Sequence, residues 1–364
     1  MGAAVNGMTG GDTGGAAGAA GTGAGGTEAA GAAGGDDGVG TVVLTGATGF
    51  IGSHTLRALS ALPAGPGRPL VRALVRRLPE DGAALPVEWF HGDVTDPAGL
   101  RGLCEGARTL VHLASYIGGD ERRCEAVNVD GTRALMAEAA RAGVRRVVHL
   151  STAAVYGAGP HRGVAVDEVP AEPVSAASRT RLAGEAYARE AGAVVLRPGI
   201  VLGEGDRWVV PGLRELVERV PAEWDGGRAL LSVVDVGDLA RLIAAIAVGP
   251  HEVPPGVYHV GHPEPVRTGD LLARLAAYDV LPPRPSADWP WPRCLEHLRA
   301  TPGRASERQF ALVGRDHWYL SDDIWKLTRE TPGPGPLTRL AGSARWYREH
   351  LTALGAAPAE SGPA

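Results

Sequence analysis

The chain has 364 residues, 44% of them hydrophobic and 21% charged, with a formal net charge of -5 at neutral pH. That length holds one large α/β unit or a nucleotide domain with a smaller lobe, and the mild negative charge gives no electrostatic reason to expect a nucleic acid or an anionic membrane as partner. No apolar run is long enough to span a bilayer. The three cysteines, Cys104, Cys124 and Cys294, show neither metal-ligand spacing nor a disulfide framework, so no metal is expected and the expected compartment is the cytoplasm.

Residues 1–38 are almost entirely Gly, Ala and Thr with a few acids. Such a stretch has too little apolar surface to offset its ordering entropy and is expected to be a disordered leader. It lacks the basic region and apolar core of a signal peptide. A short disordered tail is expected over 356–364. Order is expected from Thr41, where Thr41-Val42-Val43-Leu44-Thr45 is a short apolar run ending in glycines, as a buried parallel strand requires. Further strands are expected at Val71–Val75, Val87–Phe90, Thr109–Leu113, Val147–Leu150 and Val194–Leu196. Amphipathic segments such as Gly131–Ala142 and Arg179–Ala191 lie between them. Strands alternating with helices predict an α/β fold, a Rossmann-type doubly wound parallel sheet. Beyond Ile200 prolines multiply and tryptophans cluster between Trp208 and Trp346. A smaller C-terminal substrate-binding lobe is expected there. The predicted boundaries are 39–200 for the nucleotide domain and 201–355 for mainly the lobe, with 230–262 returning to the first domain.

Thr45-Gly46-Ala47-Thr48-Gly49-Phe50-Ile51-Gly52 follows the first strand and precedes the amphipathic segment Ser53–Leu62. Glycines at 46, 49 and 52 give a tight turn, close approach of backbone N–H groups to a pyrophosphate, and a helix N-terminus aimed at the anion. In that context the motif predicts a dinucleotide site contacted by Gly46, Thr48, Gly49, Phe50 and Ile51. The second strand ends in Val75-Arg76-Arg77, where an acid reading the ribose hydroxyls of NAD would otherwise stand. Guanidinium groups pair bidentately with phosphate, so Arg76 and Arg77 point to the 2′-phosphate of NADP or NADPH. The alternative is a solvated basic loop, common in a chain whose single lysine is Lys326 among 36 basic residues.

With these motifs in place the chain resembles an extended short-chain dehydrogenase/reductase of the NAD-dependent epimerase/dehydratase type, over about Thr41 to Val248. The resemblance implies that Asp93 and Val94, in Gly92-Asp93-Val94-Thr95-Asp96, meet the adenine. It implies that Leu113, Ala114 and Ser115 pass the cofactor at the end of the fourth strand, and that Pro198, Gly199 and Val201 lie beneath the nicotinamide. Asn128-Val129-Asp130-Gly131-Thr132 resembles the start of the following helix. It also implies a homodimer packed through the helices around Gly131–Ala142 and Arg179–Ala191.

In this family a Ser or Thr hydrogen-bonds the substrate carbonyl, a Tyr donates the proton, and a Lys four residues later holds the ribose and lowers the tyrosine pKa. Leu150-Ser151-Thr152-Ala153-Ala154-Val155-Tyr156-Gly157 puts Thr152 in the first role. The helix reads Ala177-Ser178-Arg179-Thr180-Arg181-Leu182-Ala183-Gly184-Glu185, which puts Ala177 at the tyrosine and Arg181 at the lysine. Arg181 keeps the charge but relays a proton poorly. No tyrosine occurs between Gly157 and Ala186.

Three functions fit this pattern. One is a reductase working without the tyrosine, in which Thr152 and Ser115 are the catalytic residues, Tyr116 or a water supplies the proton, and a phenolic hydroxyl of the substrate polarises its own ketone. Another is a nucleotide-sugar ketoreductase or epimerase with a displaced acid, for which Tyr116 and Tyr187 are candidates. The third is a non-catalytic NADP-binding sensor. The tyrosine-free motif also resembles atypical ketoreductases of actinomycete antibiotic pathways. That resemblance implies NADPH-dependent reduction of a ring ketone in a small aromatic polyketide of the angucyclinone type.

Overall fold

A computed structural model describes residues 40–63, 68–79, 86–283 and 285–356. The expected leader lies outside the described residues, as does the expected tail beyond Ala356. The β-branched runs form one parallel sheet of seven strands: β1 (Thr41–Thr45), β2 (Leu70–Val75), β3 (Val87–His91), β4 (Ala107–His112), β5 (Arg146–Leu150), β6 (Val194–Pro198) and β7 (Gly256–Val260). Their order across the sheet is β7-β6-β5-β4-β1-β2-β3. The chain runs outward from β1 in one direction through β3, then returns to β4 on the other side. A crevice opens at such a switch point, outside the carboxyl ends of β1 and β4.

Alternate residues of β1 explain why both faces are covered. Val42 and Leu44 pack with Leu56 and Leu59 of α1 (Phe50–Ser60). Val43 points the other way, into a cluster with Leu135 and Met136. Full burial of each such side chain stabilises by roughly 1.5–3 kcal/mol. Glu121–Cys124 forms α2, which continues through a π-helical stretch, Glu125–Gly131, into α3 (Thr132–Arg141). Next comes α4 (Ala176–Glu190), then α5 (Val209–Arg219) and α6 (Val236–Val248). The sheet, doubly wound and parallel, is the expected fold.

Several elements differ from the sequence expectation: α1 begins at Phe50 rather than Ser53, directly on the glycine turn, and two others differ for a clear local reason. Helix α4 begins three residues earlier than expected, because Ser175 and Ser178 form a reciprocal capping box, each hydroxyl accepting from the other's backbone N–H at 3.1 Å. Such a cap is worth about 1 kcal/mol. Strand β7 was not expected as a strand. Its Gly256-Val257-Tyr258-His259-Val260 run is broken by polar rings, and it lies at the edge of the sheet, paired only with β6.

A second core forms around Leu213, Leu271, Leu275 and Tyr347. Within it Trp224 meets Phe310 edge-on at 4.8 Å, and Trp291 stacks on Phe310 at 4.6 Å. A four-stranded sheet in the order Val266–Arg267, Leu230–Leu231, His317–Tyr319, His161–Val164 joins late segments to an early one. No helix among the described residues is long and apolar enough to cross a membrane.

Candidate functional site

The glycine loop is built by exclusion of side chains. Gly46 has φ +74°, and a Cβ there would lie 2.7 Å from the backbone nitrogen of Ala114. A Cβ on Gly52 would lie 1.9 Å from the carbonyl oxygen of Gly46, so only glycine lets α1 pack against the turn. No side chain caps the N-terminus of α1 at Gly49. Its first amides are therefore left for an anion.

These amides open onto a cavity of about 400 Å³. Its walls include Gly46, Thr48, Gly49, Phe50, Ile51, Arg76, Asp93, Val94, Leu113, Ala114, Ser115 and Arg181. Twelve residues predicted from widely separated parts of the chain thus share one cavity. A turn that excludes a Cβ at Gly46 and Gly52, an uncapped helix start, an arginine at the end of β2 and an acid after β3 suit a nicotinamide dinucleotide. Asp93 keeps its carboxylate in place by accepting at 2.9 Å from both the backbone N–H and the hydroxyl of Thr95. Arg77 is exposed and off the cavity wall. Pro198, Gly199 and Val201 are also off it. Gly199 is tight against the following strand instead, a Cβ there lying 2.4 Å from the carbonyl oxygen of Ser232.

The wall also holds residues that the motifs did not single out for binding the cofactor: Tyr116, Ile117, Arg123, Val127, Leu150 and Trp208. Tyr116 is fixed by its backbone. Its N–H donates to Asn128 Oδ1 at 2.8 Å, and Asn128 Nδ2 donates to its carbonyl at 2.8 Å and to Thr180 Oγ1 at 2.9 Å. Asn128 lies on the π-helical stretch, a distortion often found at functional sites. This clamp also positions the neighbouring Ser115. The Arg123 guanidinium lies over the Tyr116 ring at 4.6 Å.

The end of β5 supplies the other wall. Arg181 is half-buried, and its Nη2 donates to the carbonyls of Leu150, at 3.1 Å, and Ser151. Burial pulls its guanidinium down to about 10, so it stays charged at neutral pH. Behind it lie two buried imidazoles. The ring nitrogens of His112 pair with Thr45 Oγ1 at 2.7 Å and Thr132 Oγ1 at 3.0 Å, and burial followed by the charge of Arg181 lowers its pKa to about 4. His149 packs 5.1 Å from it and has no hydrogen-bond partner for either nitrogen among the described residues. Burial, then His112 and Arg181, holds it well below the usual histidine range.

Thr152 caps the short 3₁₀ turn Ala153–Tyr156, its hydroxyl oxygen accepting from the Ala154 N–H at 3.1 Å. Its own hydrogen donates to no partner among the described residues. It is half-buried and not on the wall of the cavity. Ala177 sits in the first turn of α4, half-buried and likewise off the wall.

Tyr156 and Tyr187, which flank this stretch in sequence, are engaged elsewhere. Tyr156, four residues after Thr152, is buried in a polar chain. Ser151 donates to Glu185, and Glu185 holds Arg197 bidentately, at 3.0 Å from Nε and 2.6 Å from Nη2. Arg197 Nη1 donates to the Tyr156 hydroxyl at 2.8 Å, which in turn lies 2.7 Å from His259 Nε2. Burial outweighs Arg197 and raises the Tyr156 pKa, so the phenol stays protonated and bonded to His259. Tyr187 packs against the core below α3 and faces the Arg133 guanidinium at 5.9 Å.

Comparison with known proteins adds to this geometry. A family model described as "NAD dependent epimerase/dehydratase family" matches residues 42–261. The "Putative dihydroflavonol 4-reductase" of Synechocystis is 32% identical over 312 residues, covering 77% of this chain and 88% of that protein. The 4-hydroxy-2-methyl-3-oxo-4-farnesyl-3,4-dihydroquinoline-1-oxide ketoreductase of Stigmatella aurantiaca is 30% identical over 196 residues, covering 50% of this chain and 58% of the relative. In several further curated relatives the matched part is only 40% to 62% of their length. Among solved structures, a short-chain dehydrogenase/reductase superfamily protein from Agrobacterium tumefaciens with bound NAD is similar with a TM-score of 0.66 and 23% identity, covering 86% of this chain and 99% of that one.

Proposed function

We propose, starting from the fact that the chain belongs to the NAD-dependent epimerase/dehydratase family, that this oxidoreductase is an NADPH-dependent ketoreductase acting without the usual tyrosine. Its substrate in this reading is a ring ketone of an aromatic polyketide of the angucyclinone type, reduced to a secondary alcohol in antibiotic biosynthesis, as by the ketoreductase of simocyclinone biosynthesis. The observation that carries the reading is the retained site around a single loss. The glycine loop, Ser115 and the charged Arg181 share one cavity, while position 177 holds alanine. A relative named for the reduction of an oxo-dihydroquinoline supports a ring ketone.

A bound reduced nicotinamide would supply the hydride to the carbonyl carbon. The residues of this chain then have three tasks. The uncapped amides of α1 and the Arg76 guanidinium hold the phosphates. Arg181, anchored on the carbonyls at the end of β5, keeps a fixed positive charge on the cavity wall, where it would hold the ribose hydroxyls of the cofactor. Ser115 donates to the ketone oxygen as negative charge grows on it, and Thr152, whose hydroxyl hydrogen is unspent, donates a second bond. A neighbouring phenol on the substrate supplies the internal hydrogen bond that the missing tyrosine would have made, and a water restores the proton.

The test is the oxidation of NADPH, followed by absorbance, with a panel of hydroxylated anthraquinone- and angucyclinone-type ketones and a set of keto-sugar nucleotides. Turnover on the aromatic ketones is expected. Turnover confined to sugar nucleotides, or tight NADPH binding with no turnover on either set, overturns the reading. Calorimetric titration with NADP and NAD checks the cofactor, and tighter binding of NAD removes the NADPH assignment.

A further inference from the structure

Seven of the eight tryptophans are accounted for by packing. Trp224 and Trp325 are buried, Trp291 stacks on Phe310, Trp289 and Trp346 lie against His297 and His350, Trp89 packs on the core beneath the sheet, and Trp318 closes over Gly163. Trp208 is different. It is 67% exposed, its ring meets no other aromatic ring or guanidinium among the described residues, and it stands on the wall of the dinucleotide cavity. Ile117, 47% exposed, stands on the same wall. Large apolar side chains held in water beside a cavity mark a surface that a ligand covers.

The base under Trp208 is rigid. The buried Asp206 carboxylate accepts from the N–H groups of Trp208 at 2.9 Å, Val209 at 2.8 Å and Val210 at 3.1 Å. The Tyr347 hydroxyl donates to the same carboxylate at 3.2 Å and accepts from the Gly203 N–H at 2.8 Å, which ties down both ends of the loop 203–208. The loop also rests on the start of α1, with His54 Nε2 2.9 Å from the Glu204 carbonyl. A backbone fixed in this way needs little reordering when a ligand settles on the side chain it carries.

We propose that Trp208 is the stacking platform that holds the flat ring system of the ketone against the exposed wall of the cavity. This rests on the aromatic-ketone reading above. A fused aromatic ring offers a π-face that matches indole, and offset stacking adds to simple area burial; a sugar ring offers no such face.

The experiment measures the affinity of a hydroxylated anthraquinone for the NADP-saturated protein, and of NADP for the free protein, in wild type, Trp208→Ala and Trp208→Phe. The quinone dissociation constant is expected to rise about 10-fold in Trp208→Ala and to stay within about threefold in Trp208→Phe, with the NADP constant unchanged in both. An unchanged quinone constant in Trp208→Ala overturns the inference and leaves the ketoreductase reading intact. An equal loss of NADP affinity also overturns it, because the ring would then serve the dinucleotide. A wild-type protein that binds no quinone sinks the aromatic-ketone reading itself, and the platform with it.

Discussion

Around the glycine turn, geometry is imposed by backbone. Gly46 and Gly52 leave no room for a Cβ, and α1 starts without a side-chain cap. At the catalytic end, geometry is imposed by side chains. Asn128 clamps Tyr116, Arg181 hangs from the carbonyls of β5, and a buried chain runs from Ser151 through Glu185 and Arg197 to Tyr156 and His259. A backbone site tolerates almost no substitution, whereas a side-chain site can lose one member and keep the rest. That difference explains how alanine can stand at position 177 in an otherwise ordered site.

The largest effect is expected from Gly52→Ala. A methyl group 1.9 Å from the Gly46 carbonyl must push α1 off the turn, and dinucleotide affinity is expected to fall at least about 100-fold by titration. Near-normal affinity would mean that the loop is softer than its geometry indicates.

Glu185→Gln probes the side-chain end. It leaves the buried Arg197 without its counter-charge, a change that costs about 3–5 kcal/mol and lowers the thermal midpoint by on the order of 10 °C. A shift of only a degree or two would show that the chain from Ser151 to Tyr156 is not a structural unit.

Acid gives a graded test of the same region. Unfolded, His112 and His259 take up a proton near pH 6.5; folded, burial lowers both to about 4. Between those values the unfolded chain binds more protons, so stability is full above pH 6.5 and falls as the pH drops toward 4, by at most about 3 kcal/mol for each ring. Denaturant titrations at pH 7 and pH 5 check the slope, and each His→Asn variant is expected to flatten it.

How much of this was legible in the sequence follows the same division. The glycine loop, the acid after β3 and the Leu113–Ser115 segment are contiguous motifs, each set by one local backbone requirement, and all of them reach the cavity. The motif at Pro198–Val201 is equally contiguous, yet its glycine serves close packing on Ser232 and none of its predicted residues lines the cavity. The early start of α4 came from a Ser–Ser capping box, where the usual signal is an acid or amide at the third position. The polar chain behind Thr152 joins residues from four separate segments that only tertiary packing brings together. The role of Trp208 was hidden for a different reason. Tryptophans in a second lobe are ordinarily core, and only exposure separates this one from the other seven.

In the proposed reaction the substrate's own hydroxyl stands in for the absent tyrosine. The most direct measurement compares single-turnover NADPH oxidation on a ketone bearing a free neighbouring phenol with that on its methyl ether. Methylation is expected to slow the step by about 100-fold, the scale of removing one donor to a developing oxyanion. Equal rates on the two ketones would contradict it and return the search for the donor to the protein.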